Sequence, residues 1–244
     1  MKRGQDRLIL IAVIVAIWYG LYLYAGDIAI TPPGQTLAYL VTLFGTASFW
    51  GHVWASLVAF AAALGISIAG GVAIGLWLGL RRFAGDVAEP IIASLYTIPK
   101  VTLYPLMLLV FGLGMPAKIA FGVIHGLVPV VLFTLAAVKT LSPTLRRTAR
   151  AMRLTPWQTA TNVLAPAVLP EIVSGIRVGF ALTLLGVLIG EMFASQRGLG
   201  FLIINGINIH NVPMTTSVAM LVVCFAILAN SAMLALDRRV HHST

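Results

Sequence analysis

Apolar positions in this chain form long unbroken runs, and charged positions fall at the ends of those runs. The runs cover residues 8–25, 54–80, 88–112, 117–138, 171–193 and 214–236. Their lengths lie near the ~20 residues that a helix needs to cross a hydrocarbon core. Barrel strands would alternate apolar and polar residues over about 10 positions. The pattern therefore predicts an all-α integral membrane protein with about six transmembrane helices, formed by a single transmembrane domain over residues 1–244. Thr31-Pro32-Pro33-Gly34 closes the first run, and residues 35–48 are semi-polar enough for an interfacial helix. The first run follows Lys2, Arg3 and Arg7 but lacks a small-x-small cleavage site, so it reads as an uncleaved span.

Within the runs, small residues and prolines carry further information. Gly71, Gly75 and Gly79 recur every four residues on one helix face, which lets a second backbone approach closely. The second span is thus expected inside the bundle. Pro99, Pro105 and Pro129 should bend their helices or free carbonyls.

Composition strengthens the membrane reading. Hydrophobic residues make up 59% of the 244 residues and charged residues 9%, against about 25% charged in soluble domains. Mean hydropathy is +0.99. The net charge of +9 could suggest nucleic acid, but the cations flank apolar runs as membrane topology requires. An inside N-terminus puts Lys2, Arg3, Arg7, Arg81, Arg82, Lys139, Arg146, Arg147, Arg150, Arg153, Arg238 and Arg239 in the cytosol, which is 12 of the 16 cations. Lys118 and Arg197 then lie outside, Lys100 and Arg177 lie within spans, and both termini are cytosolic. The single cysteine, Cys224, sits in an apolar run and reads as a small core residue.

The long basic segment 139–170 separates the fourth and fifth spans. Ser142-Pro143 and Thr155-Pro156 are both helix starts, with a capping side chain followed by proline at the first helical position. They predict two short helices meeting at an angle, with Pro166 and Pro170 dividing them from the fifth span. Such an elbow suits docking, although a basic loop that only sets topology has the same charge.

This segment resembles the cytosolic signature of bacterial ABC importer permeases: E-A-A, three residues, G, nine residues, I-x-L-P. Anchoring on Pro166 aligns the glycine with Arg153 and E-A-A with Arg147-Thr148-Ala149; Ala149 and Pro166 match. Trp157-Gln158, the P-A-x-L-P ending at 166–170, and Gly175-Ile176-Arg177 are similar to the nitrate, sulfonate, taurine and bicarbonate permeases. So are Pro99-Lys-Val-Thr-Leu-Tyr-Pro105, the following Leu-Val-Phe-Gly-Leu-Gly114, Gly190-Glu-Met-Phe193 and Gly198-Leu-Gly200. The resemblance runs in order from about residue 35 to 239.

It implies a coupling helix between spans four and five, gripped by ATP-hydrolysing subunits through Arg147, Ala149, Arg150, Arg153, Thr155, Pro156, Trp157 and Gln158. It also implies a second permease, identical or paralogous, and a periplasmic binding protein in a bacterial inner membrane. ATP and magnesium would sit on the partner ATPase, with no cofactor on this chain. The signature's glutamate and glycine are replaced by Arg147 and Arg153. A compensating acidic ATPase, a second permease carrying the usual motif, or a weakened loop would each account for this. The intact helix starts favour retained docking.

Candidate pathway residues are Lys100, Tyr96, Thr97, Tyr104 and Glu191. A lysine at the bilayer centre costs roughly 2.5–3.5 kcal/mol on insertion scales and should face a cavity or a partner. Lys100 suits an anionic solute, or else it snorkels. Glu191 could pair with Arg197 or Lys118, or cap an outer gate, and the structural role is favoured. Glu89 and Glu171 are expected at helix starts, where the dipole favours carboxylates, and Arg177 is expected to snorkel. Asn205, Asn208 and Asn211 could touch a delivering binding protein or solvate an external loop, and the loop is favoured. His52, His125, His210, His241 and His242 show no metal-ligand spacing. No G-x-x-x-x-G-K-[ST] occurs, so the energy source must be another subunit, and no enzyme constellation is present. The expectation is an ATP-driven importer permease for a small, anionic solute. The alternatives are an importer for a vitamin precursor or aromatic acid, a self-contained secondary transporter, which would need intramembrane acid chemistry, and a membrane-embedded enzyme.

Overall fold

The computed structural model describes residues 2–242. The side chains of Lys2, Arg3, Arg7, Arg146, Arg150, Pro156 and Arg239 lie outside the described residues, so the roles expected of Arg150 and Pro156 do too. The described chain is helical: α1 Lys2–Ala25, α2 Pro33–Phe44, α3 Ala47–Leu80, α4 Arg82–Thr97, a 3₁₀ turn Lys100–Leu103, α5 Tyr104–Phe111 and α6 Met115–Lys139. There follow α7 Pro143–Ala151, α8 Pro156–Thr159, a π turn Ala160–Leu164, α9 Ala165–Ala194, α10 Leu199–Asn208 and α11 Val212–His242.

Four stretches are long and apolar enough to cross a membrane: Ala47–Leu80, Met115–Lys139, Trp157–Phe193 and Val212–Ala235. The expected third span is not one straight helix. Arg82–Thr97 and Lys100–Phe111 meet at 90°, as the rigid φ of Pro99 and the restriction on the residue before it dictate. Counted together, this pair makes a fifth span. The apolar part of α1, Ile9–Ala25, is shorter. Pro105 opens α5, and Pro129 is carried within an unbroken α6.

The centre of the fold is α6, packed most closely against α9 on one side and α3 on the other. Glycine makes both approaches possible. A Cβ on Gly71, Gly75 or Gly79 would meet Val130, Thr134 or Val138 of α6 at 2.6 Å. The glycine stripe of α3 is therefore a contact face, as the spacing predicted. The rest of α3 is less enclosed than expected: Ile66, Ile74 and Trp77 on its other face are exposed. A second set, unread in the sequence, joins α9 to α6. Gly175 abuts Phe133, Gly179 abuts Val130, Gly186 abuts His125 and Gly190 abuts Lys118.

Three further expectations are corrected. Pro166 and Pro170 do not divide the elbow from the fifth span, because helix runs from Trp157 to Phe193. The π turn just ahead of Pro166 absorbs the lost backbone pairing. Cys224 is exposed rather than in the core, because α11 turns most of its apolar surface outward. Residues 199–208 form α10 rather than a loop; Asn205 and Asn208 are helical, and Asn211 caps α11 by accepting the Met214 N–H at 3.0 Å.

Helix α2 lies against α11, with Ser217 donating to the Thr36 carbonyl at 2.9 Å. Its tie to α1 is thin: Trp18 Nε1 donates to the Thr31 carbonyl at 3.0 Å.

Candidate functional site

At the Lys139 end of α6, the chain turns into the elbow. Both helix starts form as read. The Thr144 N–H donates to Ser142 Oγ at 3.2 Å. Around Thr155 the bonds are reciprocal: the Gln158 N–H donates to Thr155 Oγ1 at 3.2 Å, and the Thr155 N–H donates to Gln158 Oε1 at 2.9 Å. This capping box fixes where α8 begins.

The corner between α7 and α8 is set by Arg153, whose φ is +51°. The Met152 N–H donates to the Thr148 carbonyl at 2.9 Å and the Leu154 N–H to the Ala149 carbonyl at 3.1 Å. That spacing is a Schellman ending, with Arg153 at the left-handed position that glycine usually fills. The signature's glycine thus falls where the backbone conformation suits it, although an arginine stands there. Ala149 is 2% exposed and faces inward, whereas Arg147, Arg153, Thr155, Gln158, Met152 and Trp157 face out, Trp157 at 77% exposure.

Above the elbow, charges are paired. Lys139 Nζ lies 2.5 Å from Asp86 and 2.7 Å from Glu89, which ties the last turn of α6 to α4. Arg177 lies 3.0 Å from Asp237 of α11 rather than snorkelling, and Ser174 also donates to Asp237, at 3.1 Å. Glu89 and Glu171 sit inside helices rather than at helix starts; the partner of Glu89 is Lys139, not a dipole.

The pathway candidates divide into two groups. Tyr96, Thr97 and Lys100 cluster at the 90° corner, with Lys100 Nζ 4.9 Å from the centre of the Tyr96 ring and 3.4 Å from the Tyr96 carbonyl. Tyr96 and Thr97 are exposed and Lys100 is half-buried. The corner lies part-way along α6: α4 packs on Val131 and Leu135, and Tyr104 of α5 packs on Phe121. Tyr104 itself is buried, its ring edge-on to Phe121 with centroids 5.4 Å apart.

Glu191 is not at the corner. It is fully buried near the end of α9 remote from the elbow, 3.2 Å from Lys118 of α6. Ser56 of α3 donates to it at 2.7 Å and the Gly200 N–H at 3.0 Å. Lys118 also donates to the Arg197 carbonyl at 3.1 Å, while the Leu199 N–H donates to Ser56 Oγ at 2.8 Å and the Gly198 N–H to His52 Nδ1 at 3.1 Å. Of the two partners considered for Glu191, the fold selects Lys118. One carboxylate therefore stitches α3, α6, α9 and the 195–200 segment together. A cavity of about 710 Å³ adjoins this cluster, with Trp54, Phe193 and Arg197 in its wall. His52 and Ser56 were not recognised from sequence as members, because only the fold brings α3 to this segment.

Comparison with known proteins completes the picture. The taurine transport system permease protein TauC of Escherichia coli (strain K12) is 30% identical over 200 residues, covering 79% of this chain and 73% of that protein. A putative aliphatic sulfonates transport permease protein, SsuC of Bacillus subtilis (strain 168), is 28% identical over 215 residues, covering 84% and 77%. The riboflavin transport system permease protein RibX of Chloroflexus aurantiacus is 32% identical over 122 residues, covering 50% and 46%. Among solved structures, a chain of the MetNI methionine ABC transporter in inward-facing conformations shares the fold at a TM-score of 0.62 and 21% identity, over 78% of this chain and 96% of that one. The family model for the binding-protein-dependent transport system inner membrane component matches residues 71–242, and the chain belongs to that family of inner-membrane permeases.

Proposed function

We propose that this importer permease carries a small anionic solute, and that its elbow is the seat of the ATPase that drives it. The observation that carries the reading is the elbow itself: two capped short helices, fixed by a Schellman corner and a capping box, with Trp157 and two arginines turned outward. Tryptophan and arginine are enriched among the residues that carry protein–protein binding energy. ATP and magnesium bind that partner, and this chain holds no cofactor. A second permease, identical or paralogous, forms the other wall of the pathway, and a periplasmic binding protein delivers solute to the face remote from the elbow. Both termini are cytosolic under this orientation. Movement of the elbow by ATPase closure would switch the face to which the pathway opens.

The anionic class is supported by the aliphatic sulfonates and nitrate in the names of relatives, by the sulfonate group of the zwitterion taurine named for another, and by Lys100 at the corner between α4 and α5. The riboflavin permease among the relatives supports a vitamin-type solute as the second reading. A self-contained ion-coupled transporter is less well supported, because Glu191, the acid it would use, is tied to Lys118, Ser56 and Gly200.

Proteoliposomes holding the permease, its ATPase and its binding protein test the proposal. ATP-dependent uptake of nitrate or an alkanesulfonate, competed by other small anions and abolished by deleting residues 142–160, is the expected result. Uptake without the ATPase, or uptake that survives the deletion, would overturn it. Uptake of riboflavin but of no anion would favour the second reading.

A further inference from the structure

The corner of the elbow places a long charged side chain where the backbone favours none. Arg153 has φ +51°, and only one other non-glycine described residue, His210, has positive φ. In that conformation the Cβ of an L-residue crowds the following carbonyl, and glycine is free of the conflict. The Schellman pattern needs the left-handed conformation at this position, but it does not need the arginine side chain. That side chain is exposed, so burial does not offset the strain. Strain held at an exposed position points to a use for the side chain.

The surroundings indicate the use. Residues 90–170 contain no aspartate or glutamate, so the elbow supplies no counter-charge of its own. Among the described residues neither Arg147 nor Arg153 forms an ion pair. Met152, 66% exposed, and Trp157, 77% exposed, are large apolar side chains that the same elbow turns outward. The elbow, held by the capping bonds at Ser142 and Thr155, thus exposes two apolar side chains and two cations that no carboxylate among the described residues neutralises.

We propose that Arg153, together with Arg147, is a specificity determinant that restricts this permease to an ATPase subunit whose docking groove has an apolar floor and carboxylates at its rim. This rests on the reading of the elbow as the ATPase seat and adds the sign of charge that the seat accepts. An anionic lipid surface would also attract arginine and tryptophan, but a fluid surface does not require a strained, fixed presentation. A groove with a basic rim would reject this elbow, since like charges across an interface are strongly unfavourable.

The test uses the full permease in nanodiscs, with its own ATPase as the binding probe. Arg153→Gly is expected to slow limited proteolysis at the corner between α7 and α8 in the permease alone, because it removes the backbone conflict. The same change should weaken ATPase binding about fivefold at low salt and flatten its salt dependence. Arg153→Lys should recover most of the binding, and Arg153→Glu should weaken it further. Unchanged affinity and salt dependence in Arg153→Gly would overturn the proposal. So would a loss seen only in nanodiscs of anionic lipid and absent from zwitterionic ones, which would assign the arginine to the membrane. Deleting residues 142–160 separates the two levels. If the deletion leaves ATPase binding intact, the elbow reading fails; if it abolishes binding while Arg153→Gly has no effect, only the charge selection fails.

Discussion

Lys118 and Glu191, 73 residues apart in sequence, meet at 3.2 Å with side chains only 2% and 0% exposed. Burying two charges is costly unless further hydrogen bonds satisfy them. Here Ser56, the Gly200 N–H and the Arg197 carbonyl do so. Replacing one partner should therefore be worse than replacing both. Lys118→Met alone leaves an uncompensated buried carboxylate and is expected to cost about 3–5 kcal/mol. Lys118→Met combined with Glu191→Gln should recover much of that loss. Thermal unfolding of the detergent-purified permease measures the cycle; additive losses in the double variant would show that the two side chains are not coupled.

The glycine face of α3 offers a contrast within one helix. A Cβ on Gly75 would lie 2.6 Å from Thr134 Cβ and 2.9 Å from the Val131 carbonyl, whereas one on Gly65 would meet nothing within 4 Å. Gly75→Val is expected to destabilise by about 1–3 kcal/mol, as overpacking does, and to lower the yield of folded permease. Gly65→Ala should leave both unchanged. Equal effects at the two positions would mean that the close approach of α3 to α6 contributes nothing to assembly.

The capping box at the elbow gives a third prediction. Thr155→Ala removes the acceptor of the Gln158 N–H, and loss of such a cap costs about 0.5–2 kcal/mol. The cost falls locally on α8, so the melting temperature of the whole chain should move little. Limited proteolysis between residues 153 and 165 should accelerate, and ATP-driven uptake should fall. A protease pattern identical to that of the parent chain would show that α8 does not depend on this cap.

How much of this was legible in the sequence depended on whether the determinant was local. The caps at Ser142 and Thr155 and the glycine stripe at 71, 75 and 79 were readable, because each is a property of a few neighbouring positions. The break at Pro99 was readable as a bend, but its 90° angle was not. The fate of Pro166 was misjudged because the π turn that accommodates it leaves no signal in the residues themselves. Cys224 was misplaced for a related reason: an apolar run looks the same whether it faces a core or lipid. The partners of Glu89, Arg177 and Glu191 lie 50, 60 and 73 residues away. Charge pairs at that range are set by which helices pack together, and composition does not rank one candidate partner above another. The left-handed corner at Arg153 was legible only through the family signature, whose glycine aligns there, since the arginine itself hides the requirement.

Lys100 provides the remaining prediction. Its ammonium stands 4.9 Å from the Tyr96 ring centre at the corner between α4 and α5, and among the described residues no carboxylate pairs with it. A cation in that position contributes to an anion pathway through its charge, whereas a structural cation would act through its packing on Tyr96. Two substitutions separate these roles. Lys100→Ala removes the charge and should lower anion uptake about tenfold, the equivalent of roughly 1.4 kcal/mol, with ATPase binding at the elbow unchanged. Tyr96→Leu removes the ring while keeping the charge; the lost contact is worth about 0.5–1 kcal/mol at an exposed site, so uptake should fall only a few-fold. Lys100→Arg should retain most of the transport. If Lys100→Ala transports like the parent chain, or if Tyr96→Leu is the more damaging change, the charge at this corner is not part of the route taken by the solute.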